Sequence, residues 1–155
     1  MYLKETLWDA LMYAAIVERI VRDGFRQLSE GHPAPVLRLF AEDAELRFPG
    51  VHALGGHWYG RAEIARWFER LLRTLPGIRF EIHDVHVRGM PWNTRVLTRF
   101  TDTVPMVGGP PVVNHGVQYL RLRWGRIVED VLYLDTQVVA DACARAVQTA
   151  QPPAA

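Results

Sequence analysis

The chain has 155 residues, 49% of them apolar and 23% charged, and carries a formal net charge of +1 at neutral pH. A chain of this size and make-up buries a full core, which excludes a disordered or purely charged segment. The balanced charge, with arginines scattered and not gathered into a tract, argues against nucleic acid or an acidic membrane as partner. The single cysteine, Cys143, has no disulfide partner in the chain, which fits a cytoplasmic location. No apolar run reaches the roughly 20 residues that cross a bilayer. Lys4, Glu5 and Asp9 interrupt the continuous apolar core that a secretion signal needs.

The spacing predicts a helix from Leu3 to Leu28. Leu3, Leu7 and Leu11 form one row, and Ile16, Ile20, Phe25 and Leu28 continue an apolar stripe to the stop at Gly31 and Pro33. A short second helix is expected next, with Pro33 in its first turn and Val36, Leu39 and Phe40 as its buried face. Ala44, Leu46 and Phe48 alternate with Glu45 and Arg47, which predicts a half-buried strand ending at Pro49-Gly50. The glycine-rich stretch from Val51 to Tyr59 reads as a loop. Helical spacing returns from Arg61 to Leu75 and stops at Pro76-Gly77.

Residues 78–88, 94–104, 112–124 and 126–135 alternate as four strands of a meander. In the first, the apolar phase slips between Ile82 and Val85, so a bulge is expected near His83-Asp84. Trp124-Gly125 marks a tight hairpin. Val138 to Val147 reads as a closing helix. The expected organisation is a helical extension over 1–15, one domain over 16–147 and a flexible tail over 148–155. Three N-terminal helices on a long antiparallel meander define an α+β class: a cone-shaped roll whose strongly curved sheet surrounds a central pocket.

Three stretches carry a family resemblance: Leu39-Phe40-Ala41-Glu42-Asp43-Ala44-Glu45-Leu46, Tyr59-Gly60-Arg61-Ala62-Glu63-Ile64, and Gly125-Arg126-Ile127-Val128-Glu129 leading to Tyr133-Leu134-Asp135. In this order the chain resembles the nuclear transport factor 2-like superfamily, and within it the SnoaL-like polyketide cyclases and ketosteroid isomerase-like proteins. The resemblance implies a pocket for a small hydrophobic cyclic or polyketide-like metabolite, with isomerase, cyclase or dehydratase chemistry and a homodimer formed through the convex sheet face. It does not carry the family's catalytic residues across. The isomerase base position is Phe48, its oxyanion tyrosine position is Gly24, and its second aspartate position is Gln118. Of the Asp-Arg-Asp set in limonene epoxide hydrolase-like proteins, Asp102 matches the first aspartate, while Phe100 and Leu132 stand at the other two positions. The cyclase aspartate also falls at Leu132 and the cyclase histidine at Gln118.

Strand parity gives candidates independent of family. Even residues of 94–104, 112–124 and 126–135 are expected to face the helices, among them Val96, Thr98, Phe100, Asp102, Asn114, Gln118, Val128, Asp130, Leu132 and Leu134. Asp102 and Asp130 are the candidate proton-transferring groups, because neighbouring buried carboxyls push each other's pKa values apart. Asn114 and Gln118 are candidates for orienting a carbonyl or hydroxyl, and Phe48, Trp58, Phe100 and Leu132 for lining the pocket. A second reading has Asp102 activate water to open an epoxide; a third is a non-catalytic binder. His52 and His57 are expected in a solvated loop, and His115 on the outer face. The spacing of His83 and His86 does not support a metal site. No dinucleotide or phosphate-binding glycine motif is present, so no cofactor is expected. Asp135 is placed to cap the closing helix.

Overall fold

The computed structural model describes residues 2–150, with side chains from residue 6 to residue 148. Helix α1 (Tyr2–Ser29) and a single turn, α2 (Ala34–Leu37), precede strands β1 (Phe40–Phe48) and β2 (Gly56–Tyr59). Helix α3 (Arg61–Thr74) leads into the meander of β3 (Arg79–Met90), β4 (Asn93–Val104), β5 (Val112–Arg123) and β6 (Arg126–Leu134), and helix α4 (Thr136–Ala150) follows. The six strands form one sheet in the order β2-β1-β6-β5-β4-β3. All neighbours are antiparallel except β1 and β6, which run parallel. The result is an α+β fold with helices packed on one face of a curved, mostly antiparallel open sheet.

Three sequence expectations need correction here. Helix α1 buries Val17, Val21, Phe25 and Leu28, while Ile16 and Ile20 remain 55% and 43% exposed. The helix carries two apolar rows, and the sheet takes the one spaced four, four and three residues apart in phase with Phe25. Leu7, Trp8, Leu11 and Met12 continue the outward row. No break separates residues 2–15 from the rest of this helix. Phe40 opens β1 and does not close α2; it is fully buried between the sheet and Phe68. Residues 56–59 are a strand paired with β1, from Glu45 opposite Tyr59 to Phe48 opposite Gly56. The last part of the expected tail, residues 151–155, lies outside the described residues.

Strands β3, β4 and β5 keep their expected phase. Burial alternates along β4, with Thr94, Val96, Thr98, Phe100, Asp102 and Val104 inward. In β3, Ile82 pairs Phe100 and Asp84 pairs Arg99, which leaves His83 as the extra residue of a bulge. A second bulge was not anticipated. Arg121 pairs Glu129 and Leu122 pairs Ile127, so Val128 is the extra residue in β6. Ile127 therefore takes the inward place expected of Val128, and the parity of everything after it is set by the bulge. The core closes with α3, where Ile64, Trp67, Phe68 and Leu71 face the sheet and the Trp67 indole N–H donates to the Leu54 carbonyl at 2.9 Å.

Candidate functional site

A cavity of about 80 Å³ lies between the inward face of the sheet and α1, α3 and α4. Its wall is almost wholly apolar: Phe25 comes from α1, Trp67 and Phe68 from α3, Val139 from α4, and Phe48, Phe100 and Leu132 from the sheet. Three polar side chains interrupt it: Asp102, Gln118 and Asp130. Among the described residues no arginine, lysine or histidine lines it.

The β6 bulge explains how Asp130 comes to face this space. With regular alternation after Ile127, residue 130 would point outward; the extra residue restores its inward aspect. Asp130 is 2% exposed. Its Oδ2 accepts a hydrogen bond from the Gln118 Nε2 at 3.1 Å, whereas its Oδ1 is buried without a partner among the described residues. Burial pushes its pKa up to about 7, against the opposing pull of the Gln118 hydrogen bond. Asp102 is 8% exposed, and burial raises its pKa to about 6, with His115 pulling the other way.

The two aspartates line one cavity but do not form a pair. Asp102 stands opposite Asn114, and Asp130 opposite Leu120, so six positions of β5 separate them. That is about 20 Å of strand. Each shift comes from desolvation of its own carboxyl and not from like-charge coupling between the two, which corrects the expectation of a mutually perturbed pair.

Gln118, Phe48, Phe100 and Leu132 border the cavity; Asn114 and Trp58 do not. The Asn114 amide donates to the Asp135 carbonyl at 3.1 Å and accepts from the His115 N–H at 2.9 Å, so its polar atoms tie β5 to the start of α4. Trp58 is half-buried behind the wall, 5.8 Å from the Trp67 ring. Asp135 caps α4, its Oδ1 accepting from the Gln137 and Val138 N–H groups. His52 is folded into its own loop, bonded to the Pro49 carbonyl and the Leu54 N–H. His57 sits outside in an exposed cluster with Glu45, Arg47 and Tyr59. His83 and His115 share the Thr101 hydroxyl on the outer face.

One residue of the inward face was not singled out from sequence. Thr98 is fully buried, pairs with Gln118 across the β4–β5 ladder, and its hydroxyl has no partner among the described residues. A polar residue at inward parity beside Gln118 was the available signal. Gly116 has a steric role: a Cβ there would lie 2.6 Å from the tip of the Phe100 ring, so the bare backbone lets Phe100 lie across it.

Residues 21–130 match the model of a family described as the SnoaL-like domain. The chain belongs to the SnoaL-like family. This SnoaL-like protein, of the small-molecule enzyme or binder kind, has the nuclear transport factor 2-like fold, and solved structures agree. A nuclear transport factor 2-like protein from Burkholderia pseudomallei is 19% identical, with a TM-score of 0.70 over 81% of this chain and 95% of that one. TerC, crystallised with polyporic acid, is 19% identical, with a TM-score of 0.69 over 81% and 96%. A protein from Catenulispora acidiphila with a ketosteroid isomerase-like fold, in complex with trimethylamine, is 23% identical, with a TM-score of 0.61 over 74% and 83%. A search of curated protein sequences gave no match.

Proposed function

We propose that this SnoaL-like protein takes a small, largely apolar metabolite into the cavity and transfers a proton to or from it through Asp130. The supporting observation is the half-used carboxyl: Asp130 lines the cavity, Gln118 holds its Oδ2, and its Oδ1 is buried without a partner among the described residues. A carboxyl with a pKa near 7 exchanges a proton readily at neutral pH, which suits general acid/base work in an isomerase, cyclase or dehydratase reaction. Gln118 then acts as a positioning residue that orients the carboxyl, while Phe48, Phe100 and Leu132 hold the carbon skeleton. Asp102, at the far end, belongs to a second reading in which it activates water against an epoxide. Its 8% exposure, against 2% for Asp130, favours that role over Asp130 for a step that needs solvent.

The test is turnover of a panel of cyclic enones, lactones and epoxides by the wild type, Asp130→Asn and Asp102→Asn. Loss of about 10²-fold or more in kcat with Asp130→Asn alone is the expected result. Loss confined to epoxides and to Asp102→Asn supports the second reading. Saturable binding with no turnover of any compound makes the protein a carrier and removes the catalytic role. A homodimer through the outer sheet face is part of the same proposal, supported by exposed Leu97, Val113 and Tyr133 among the arginines there. Sedimentation of Tyr133→Glu beside wild type checks it, with a shift to monomer expected.

A further inference from the structure

The polar atoms that the cavity offers are nearly all oxygens. Asp130 lines it with a carboxyl whose Oδ1 has no partner among the described residues, Asp102 with a carboxyl that has little solvent, and Gln118 with an amide whose nitrogen already donates to Asp130. No cationic side chain lines the space among the described residues. A buried carboxylate without a counter-charge is costly, and an incoming cation relieves that cost. The rest of the wall suits the same guest, because aromatic faces such as those of Phe48, Trp67 and Phe100 attract a desolvated ammonium. A carbonyl guest finds a poorer match, since the donors left for it are the remaining Gln118 N–H and whatever proton a carboxyl holds.

From this acceptor-rich, aromatic-walled cavity we infer that the ligand is a small hydrophobic amine, bound as its ammonium with an N–H donated to the Asp130 carboxyl. The inference rests on the reading of the cavity as a small-molecule site and narrows it to a chemical class. The Asp130 carboxyl, which carries the proton in the proposed reaction, is the acceptor for the ammonium as well.

Calorimetric titration with benzylamine, benzyl alcohol and acetophenone at pH 8 tests it, because the three share size and ring and differ in charge and hydrogen bonding. Wild type is expected to bind benzylamine at least about tenfold more tightly than the other two, the size of one hydrogen bond to a charged group. Asp130→Asn is expected to remove that preference, whereas Asp102→Asn retains it. If acetophenone or benzyl alcohol binds as tightly as the amine, the amine class is wrong while the small-molecule site stands. An amine preference that survives Asp130→Asn overturns the assignment of the acceptor. No binding of any of the three by folded wild type overturns the site and the inference together. The wild-type rank order decides the ligand class even if Asp130→Asn does not fold.

Discussion

Asp130 is the residue on which the site's energetics turn. Its carboxyl leaves water on folding and gains one amide hydrogen bond in return, so the folded protein holds the proton more tightly than the unfolded chain does. A pKa raised from 3.8 to about 7 means stability that is fully present at low pH and lost as pH rises from near 4 through 7. Asp102, raised to about 6, adds to the loss within the same window. The groups facing Asp130 across the ladders are Leu46 of β1 and Leu120 of β5, with Gln118 bonded to it, so no cation in that set offsets the effect. Urea titrations at pH 5 and pH 8 are expected to show wild type losing stability, by about 3 kcal/mol or less for Asp130. Asp130→Asn is expected to show a much smaller fall and to exceed wild type at pH 8. Equal pH slopes for the two proteins would assign the raised pKa elsewhere.

At the scale of elements, the joints carry constraints that side-chain patterns do not display. Gly60 starts α3 at φ 84°, ψ 148° while its N–H donates to the Ala44 carbonyl at 2.7 Å, locking the helix onto β1. That backbone region is nearly closed to other residues. Gly60→Ala is expected to cost about 1–3 kcal/mol, read as a lower urea midpoint with an unchanged m-value. Trp67→Phe, which keeps most of the packing but leaves the Leu54 carbonyl without its donor, is expected to cost about 1–3 kcal/mol by the same measurement.

The joints also show where sequence reading succeeds. The β3 bulge was legible because Ile82 and Val85 betray the slip in phase, whereas the β6 bulge hides in Ile127-Val128, two apolar neighbours that satisfy either phase. Strand β2 was missed because four residues flanked by glycines have little local signal, and its partner β1 supplies the pairing. In the site, alternation was enough to place Asp102 and Gln118 inward, whereas Asp130 owes its inward aspect to the unforeseen bulge, the expected phase having started from Val128 and not from Ile127. The distance between the two aspartates was not legible, because it depends on the register of three strands, and neither was the diversion of Asn114 to the Asp135 carbonyl.

Over the whole molecule, the sheet and helices enclose a chamber that Gly24 borders directly and Gly116 touches only through the Phe100 ring. Gly24 sits in the middle of α1, where alanine is favoured by about 1 kcal/mol, and it borders the cavity. A Cβ there meets only Val36 at 3.6 Å, an ordinary contact. Gly24→Ala is therefore expected to raise the melting temperature slightly while weakening the binding of the bulkier ligands in a size series. Gly116→Ala is expected to lower it, since the added carbon must displace the Phe100 ring. A single carbon at position 24 thus narrows the chamber without harming the fold, making Gly24 the natural caliper for resizing it to a different guest.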